Sequence, residues 1–351
     1  MSIELTKADA STRQALYETL LTSWNQRWGK EFQEEFLDWR YARRTDGETL
    51  IAMSGSKCIG VFDSFIRPYR IGGQEVLVRE PCEWYSLPGN RSVGIRLLKF
   101  FLEQGDPMLA AGVTRGTIAL APGMNWTHLG DAYDFVLPIT ARRLAGAILR
   151  RARLGDGSIT RYLPRGIRLQ PNSAWTQHRE VDGEVDDLAL EDLTGKGWPS
   201  ADDRVAHGIA PVLTKSYVQW LKSCPASLGE VFCCAFRVKG ALVGMTFCRI
   251  EASKVGRKAR LIHLQSSELN VRTLRWMIAE NVLRAIQLDA ERFQCRSSCA
   301  VTNAALLSLR FRPAANVPVI VGFNDLPIPA GPANVTYLRG DDAMIPTLIG
   351  E

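Results

Sequence analysis

The sequence has few histidines and no long uninterrupted apolar run. Only four histidines occur among 351 residues, and they are scattered without the spacing of a metal site. No segment approaches the roughly 18 to 20 consecutive apolar residues that a membrane-spanning helix needs. The first residues, MSIELTKADAS, lack the basic-then-apolar order of a signal peptide. We therefore expect no bound metal, no membrane span and a cytoplasmic location.

Paired metal-ligand cysteines are also missing. Most of the eight cysteines lie inside apolar, strand-like runs, where free thiols behave as small hydrophobic side chains. Cys295 and Cys299 form a single CxxxC with no second pair of ligands, so a zinc site is not expected. The net charge of +6 comes from scattered lysines and arginines. This pattern is compatible with an anionic ligand but does not predict a nucleic-acid surface.

The order of helix-like and strand-like segments predicts two copies of one fold. A chain of 351 residues suits two domains of roughly 150 to 180 residues each. Residues 1–140 and 186–351 show the same order of helices, three antiparallel strands, a long helix and further strands. The segment 141–185 has little apolar periodicity and is taken as the connection. We expect an α+β (mixed α/β) protein, each copy a twisted, mostly antiparallel sheet flanked by helices.

The stretch EWYSLPGNRSVGIRLLKFFLEQG, Glu83 to Gly105, predicts a strand, a Pro-Gly turn and a helix. Apolar residues recur from Gly94 at helical spacing, so Gly94 lies on the face that packs on the sheet. Its missing side chain lets the helix approach the strand. The first helical turn, 90–93, has N–H groups without partners inside the helix, and Arg91 stands among them. Such a turn can hold an anion; a capped helix with a packing glycine is the alternative.

Two segments of the sequence resemble the GNAT acyltransferases. LPGNRSVGIRLLKFFLEQG is similar to their pyrophosphate-binding segment, Arg/Gln-x-x-Gly-x-Gly/Ala between the fourth strand and the next helix. Arg91 and Gly94 match this pattern, whereas Arg96 stands where the family usually has a very small residue. FLDWRY, Phe36 to Tyr41, resembles an element of tandem GNAT proteins associated with sugar and cell-surface metabolism. With the order of strands, the resemblance covers almost the whole chain and implies two tandem GNAT-like domains.

The resemblance implies that acetyl-CoA or another acyl-CoA binds the first copy as the acyl donor. The implied donor site comprises Tyr85, Ser86, Leu87, Asn90, Arg91, Ser92, Val93, Gly94, Ile95 and Arg96. The backbone N–H of Ser86 or Leu87 would hold the acyl oxygen. The matching junction of the second copy, HLQSSELNVRTLRWM, has no such arginine and no glycine in the first helical turn. We therefore expect the second copy to be degenerate and one donor to bind per chain.

The implied reaction is direct attack of a primary amine on the thioester, which needs a base. Glu83 is the candidate, because acidic residues at that level of the fourth strand serve in the family, and Glu80 is the second choice. A regular strand would place these two carboxylates on opposite faces, so only one should enter the cleft. Many family members supply a tyrosine as the acid, but Trp126 stands there. Tyr133, Asn125 or water would then protonate the thiolate, and an inactive first copy is the alternative.

The acceptor site is expected at the FLDWRY element. Trp39 and Arg40 are candidates for substrate contact, with packing in the core as the alternative for Trp39. The expected acceptor is a small-molecule primary amine, with an amino sugar among the candidates. Two other functions stay open. One is a tRNA-dependent aminoacyltransferase of the peptidoglycan-bridge type, although those enzymes do not rely on the donor loop. The other is a non-catalytic GNAT-fold ligand-binding protein, which Arg96 and Trp126 favour.

Overall fold

A computed structural model describes most of the chain. The described residues are 3–28, 34–44, 46–113, 115–140, 181–188, 208–225, 229–253, 256–323, 326 and 328. At 24–28, 91, 252 and 253 the description covers the backbone alone. Most of the expected connection, 141–185, lies outside these residues.

The described residues of the first half alternate helices with a meander of strands. In chain order the elements are β1 (Ile3–Lys7), α1 (Arg13–Trp28), α2 (Glu34–Leu37), a π-helical turn (Asp38–Ala42), β2 (Gly47–Ser54), β3 (Lys57–Ile71), β4 (Gln74–Ser86), α3 (Arg91–Leu102), β5 (Met108–Ala111), α4 (Arg115–Leu120), a 3-10 turn (Ala121–Met124) and β6 (Thr127–Pro138). Gly72 and Gly73, between β3 and β4, both have positive φ, as the tight hairpin turn requires.

The second half repeats this order. Its elements are β7 (Glu184–Asp187), β8 (Ile209–Pro211), α5 (Lys215–Lys222), β9 (Glu230–Val238), β10 (Ala241–Ser253), β11 (Gly256–Ser266), α6 (Val271–Gln287), β12 (Arg292–Ser297), α7 (Ala300–Ser308) and β13 (Arg312–Gly322). The long helices α3 and α6 each connect two neighbouring parallel strands, β4 to β5 and β11 to β12. All other strand pairs in the described residues are antiparallel.

The strands of both halves form one continuous sheet, where the sequence predicted a sheet for each copy. The order is β1-β2-β3-β4-β5-β13-β6-β12-β11-β10-β9-β7, with β8 alongside β3. β13, from the second half, lies between β5 and β6, and β6, from the first half, lies between β13 and β12. Each half is thus completed by a strand of the other. Separating the halves would break these backbone ladders, so they depend on each other for stability.

The ladder between β4 and β5 is confined to one pair, Arg79 and Met108. β4 continues to Ser86, so its last residues diverge from β5. This opening lies where α3 begins. On one face of the sheet, α3 packs through Val93, Leu97 and Phe101. The opposite face carries a core that α1, α2 and α5 cover, and to which strands of both halves contribute.

Within the described residues, no helix is long and apolar enough to cross a membrane. The same part of the chain contains no cluster of histidine, cysteine and acidic side chains that could hold a metal ion.

Candidate functional site

The candidate donor site lies at the junction of β4 and α3. Gly89 has a φ of +87°, a conformation that favours glycine and reverses the chain between the two elements. The Leu87 N–H donates to the Ile59 carbonyl at 2.9 Å. Leu87 is therefore not the expected donor to the acyl oxygen. Because N–H groups alternate in direction along a strand, the N–H of Ser86 points instead toward the edge from which β5 has diverged.

The first turn of α3 presents open backbone amides. Val93 N–H is bonded to the Asn90 carbonyl at 2.9 Å, but no acceptor within the described residues receives the N–H of Arg91 or Ser92. Asn90 occupies the N-cap position without a capping bond from its side chain. The Ser92 side chain is exposed, and the side chain of Arg91 lies outside the described residues. This helix end carries partial positive charge and free donors, which is the arrangement that binds phosphate groups.

Gly94 sets the distance between α3 and β4. Trp84 Nε1 donates to the Gly94 carbonyl at 2.8 Å. A Cβ atom at Gly94 would lie 3.1 Å from the same Nε1, tighter than most contacts of that kind. Gly94 is buried on the sheet-facing side of the helix, as its spacing predicted. The glycine therefore acts through the packing of helix on strand.

The other residues expected in the donor site divide into three groups. Tyr85 and Leu87 are half-buried at the end of the strand, and Val93 is buried in the core under α3. Ile95 is exposed. Arg96 donates from Nη2 to the Ile3 carbonyl at 3.4 Å, so it extends toward β1. The structure thus gathers Ser86, Asn90, Ser92 and Gly94 at the junction but does not bring Ile95 and Arg96 to it.

The equivalent junction in the second half is closed by its own side chains. The Asn270 Oδ1 accepts the Thr273 N–H at 2.8 Å, which caps α6. Glu268 Oε2 accepts from Asn270 Nδ2 at 2.9 Å and from Thr273 Oγ1 at 3.0 Å. The carboxylate already occupies the positive end of α6, where a phosphate group would have to bind. The two helices thus differ at the feature that would hold an anionic donor.

Glu83 and Glu80 lie on the same face of β4, not on opposite faces as the sequence predicted. Glu83 is opposite Asp63 in β3 and Glu80 is opposite Phe65, because Cys82 is an extra residue between the two pairs. The bulge shifts the alternation of side chains between the two faces of the strand by one residue. Both carboxylates are buried, with exposed fractions of 4% for Glu83 and 1% for Glu80.

The groups around these carboxylates form a buried charged cluster. Glu80 accepts hydrogen bonds from Arg67 and from the Tyr69 hydroxyl. Asp63, opposite Glu83, accepts from Arg44, from Arg40 Nη2 at 3.2 Å and from Thr49 Oγ1 at 2.7 Å. Such pairs are retained in an interior only when each charge has a partner. Glu80 is thereby committed to its pair with Arg67.

Trp39 and Arg40 do not reach a surface where a substrate could contact them. Both have exposed fractions of 0%. Trp39 lies in the core shared by the two halves, and Arg40 is bonded to Asp63. The alternative of core packing is therefore the one the structure supports for Trp39, and Arg40 compensates a buried carboxylate.

Neither of the candidates for the acid, Tyr133 and Asn125, nor Trp126 at the position of the family's acid, lies on a strand next to β4 in the described residues. Tyr133 is on β6, with an exposed fraction of 37%, and two strands, β5 and β13, lie between β6 and β4. Trp126 is in the core under α3, and Asn125 forms the turn ahead of β6 with a φ of 55°.

His263 was treated as one of four scattered histidines, yet it lies in the core between the halves. Its exposed fraction is 1%, and the charge of Arg67, in the first half, acts on it. The signal in the sequence was its position: it stands as far ahead of α6 as Glu83 stands ahead of α3. Comparing these two spacings requires the first residues of α3 and α6 to be known.

Comparisons with known proteins identify the fold. No family model matches the sequence, and a search of curated proteins finds no significant relative. N-myristoyltransferase of Saccharomyces cerevisiae with bound myristoyl-CoA is 12% identical with a TM-score of 0.62, over 96% of this chain and 84% of that chain. A GCN5-related N-acetyltransferase from Anabaena variabilis is 13% identical with a TM-score of 0.55, over 91% and 72%.

A conserved protein from Enterococcus faecalis, described as a probable N-acyltransferase, is 8% identical with a TM-score of 0.60, over 91% and 71%. The class of the protein follows from these likenesses: it has a GNAT fold in tandem. In particular it has the arrangement of N-myristoyltransferase, with mixed α/β structure and one long, mostly antiparallel sheet. The sequence-based prediction of the fold class is thus confirmed.

Proposed function

We propose that the protein is an acyl-CoA-dependent N-acyltransferase that transfers an acyl group to a primary amine of a small molecule. The observation that carries the proposal is the difference between the starts of α3 and α6. The amides of Arg91 and Ser92 are open at one helix, while Asn270 and Glu268 fill the other. An anionic donor therefore has one binding position per chain, in the first half.

In this proposal, two groups of β4 take part in the reaction. The N–H of Ser86, at the diverging edge, would donate to the thioester oxygen and stabilise the charge that develops there. Glu83 would take the proton from the attacking amine, directly or through water, as the C–N bond forms and the C–S bond breaks. The thiolate would take its proton from water, because Tyr133 lies on β6, which is not adjacent to β4.

The second half is proposed to have lost donor binding and to shape the acceptor side. Its strands contribute to the core against which Glu80 and Arg67 pack. Strand exchange makes the second half indispensable to the fold even without a donor site. This would explain why a degenerate copy persists.

Calorimetry tests the proposal directly. Acetyl-CoA, myristoyl-CoA and free coenzyme A should each be titrated into the full chain, with one molecule bound per chain expected for the correct donor. Comparing the three ligands measures the preference for acyl length. Failure of all three to bind would contradict the proposed function, and two molecules bound per chain would contradict the assignment of the second half.

A second function, donor binding without turnover, is supported by the burial of Glu83. A base that is 4% exposed can act only if the acceptor or a water molecule reaches it. Release of the coenzyme A thiol in the presence of a panel of primary amines separates the two functions. Thiol release that depends on an amine supports the transferase, whereas binding without any release supports the ligand-binding protein.

A further inference from the structure

The two halves place Glu83 and His263 at equivalent positions. Glu83 precedes Arg91, the first residue of α3, by eight residues, and His263 precedes Val271, the first residue of α6, by eight. Both are on the strand that leads into the long helix of their half. His263 is therefore the residue that the second half has in place of the proposed base.

The strand registers support the same equivalence. A one-residue bulge comes directly before each position, at Cys82 in β4 and at Ile262 in β11. The bulge in β4 turns Glu80 and Glu83 to the same face. The bulge in β11 orients His263 in the same way relative to its own hairpin.

His263 faces the charged cluster of the first half. Its side chain has an exposed fraction of 1%, and its ring centroid lies 6.2 Å from that of Phe247, in the core between the halves. Arg67 lies over the ring of Tyr217 in the same core. Arg67 is itself paired with Glu80, on the strand that carries Glu83. Side chains of both halves therefore meet in one buried polar cluster.

The imidazole of His263 is uncharged and has unused hydrogen-bonding capacity. Burial lowers its pKa to about 4, and Arg67 acts in the same direction, while the side chain of Gln265, within hydrogen-bonding reach of the ring, opposes the shift. This contact is poorly aligned, and neither ring nitrogen makes a well-aligned hydrogen bond to any described residue. Burying a polar group in this way costs stability, and proteins that retain one commonly use it.

We propose that His263 determines specificity on the acceptor side of the active site, where its ring hydrogen-bonds a hydroxyl group of the amine acceptor. This inference rests on the proposed acyl transfer. A hydroxyl group suits a neutral imidazole because each of them can both donate and accept one hydrogen bond. A second ammonium group on the acceptor would be repelled by Arg67. The acceptor is thus an amine that carries hydroxyl groups.

The test follows the histidine ring itself. The full chain is labelled with ¹³C at histidine, and the His263 signal is assigned by its loss from the spectra of His263→Leu and His263→Asn. With coenzyme A saturating, serinol and glucosamine are added as amines with hydroxyl groups. Isopropylamine and cyclohexylamine are their counterparts without hydroxyl groups. The hydroxylated amines should shift the His263 signal saturably, at concentrations about tenfold lower than their counterparts need. Equal shifts, or none, overturn the inference.

A stability measurement asks whether the ring instead serves the fold. His263→Leu removes a buried polar group without a partner, so its urea midpoint near neutral pH should equal or exceed that of the wild type. A lower midpoint would show that the ring makes a structural bond and would overturn the inference. Calorimetry on the same samples separates the proposed acyl transfer from the proposed role of His263. Absence of coenzyme A binding contradicts both, whereas binding with an unresponsive His263 contradicts only the role of His263.

Discussion

Trp39 and Trp220 make a reciprocal contact between the two halves. Their rings are stacked with centroids 4.6 Å apart and planes inclined by 9°. Trp39 Nε1 donates to the Trp220 carbonyl at 3.0 Å, and Trp220 Nε1 donates to the Trp39 carbonyl at 2.9 Å. The two tryptophans are related by the same approximate twofold symmetry as the sheet. Counted from either edge of the sheet, equivalent strands of the two halves follow in the same order. It joins the helical layers above the sheet, as β6 and β13 join the strands.

Replacing either tryptophan should destabilise the whole molecule. Trp39→Phe and Trp220→Phe should each lower the free energy of unfolding by about 2 to 3 kcal/mol. Each change leaves a void and removes one of the two hydrogen bonds between the tryptophans. Urea unfolding of both variants and of the double variant measures the coupling. The double variant should lose less than the sum, because both changes break one pair; additive losses would show that the rings act independently.

A negative charge at the start of α3 should prevent donor binding without harming the fold. Ser92 is exposed in the first turn, where a carboxylate is compatible with the helix dipole. Ser92→Glu should therefore unfold at the same temperature as the wild type or slightly higher. Its affinity for acetyl-CoA should fall about 100-fold, because the carboxylate competes with phosphate for the same amides. Calorimetry and thermal unfolding measure the two effects.

Two matched variants accompany Ser92→Glu. Ser92→Gln adds the same bulk without charge and should retain most of the affinity. Arg272→Glu places a carboxylate at the equivalent position of α6 and should leave donor affinity unchanged. Loss of binding in Arg272→Glu alone would place the donor in the second half.

Removing the basicity of Glu83 should slow turnover and spare donor binding. Glu83→Gln keeps the shape of the side chain, so acetyl-CoA affinity should not change. Thiol release with a competent amine should fall about 100-fold and recover in part at higher pH, where more of the amine is already neutral. Full activity in this variant would mean that the base is elsewhere.

Glu75→Gln is the appropriate control on the same strand, because Glu75 is exposed. It should match the wild type in activity and stability. Glu80→Gln is not a neutral control, since it removes a charge from the buried pair with Arg67. We expect it to lower the free energy of unfolding by about 3 to 5 kcal/mol.

Stability should decrease as the solution is acidified through the titration range of histidine. Burial lowers the pKa of His263 from 6.5 to about 4, so in that interval the unfolded chain binds a proton that the folded chain does not. The contribution of neutral His263 to the stability of the fold is complete above the pKa of the unfolded chain. It is lost as the pH falls toward the pKa of the folded chain. Between about pH 7 and 5, the wild type should lose about 2 kcal/mol more than His263→Leu. If the difference in free energy of unfolding between the wild type and His263→Leu does not depend on pH, this prediction is contradicted.

The predictions that came closest to the structure concern local elements. Each copy is predicted to have three antiparallel strands followed by a long helix. The first copy has them as β2, β3, β4 and α3, and the second as β9, β10, β11 and α6. Glycine turns, alternation and helical periodicity are properties of neighbouring residues, so the sequence expresses them directly.

The sequence by itself determined the elements, their repeated order and the position of Gly94 on the sheet-facing side of α3. Only the tertiary structure decided the exchange of β6 and β13, because pairing between distant strands leaves no local pattern. It also decided the direction of Glu80, which depends on the bulge at Cys82, and the burial of Trp39, which depends on a ring 181 residues away. Local propensity determines whether a segment forms a helix or a strand. The element against which each face packs is determined only when the whole chain folds.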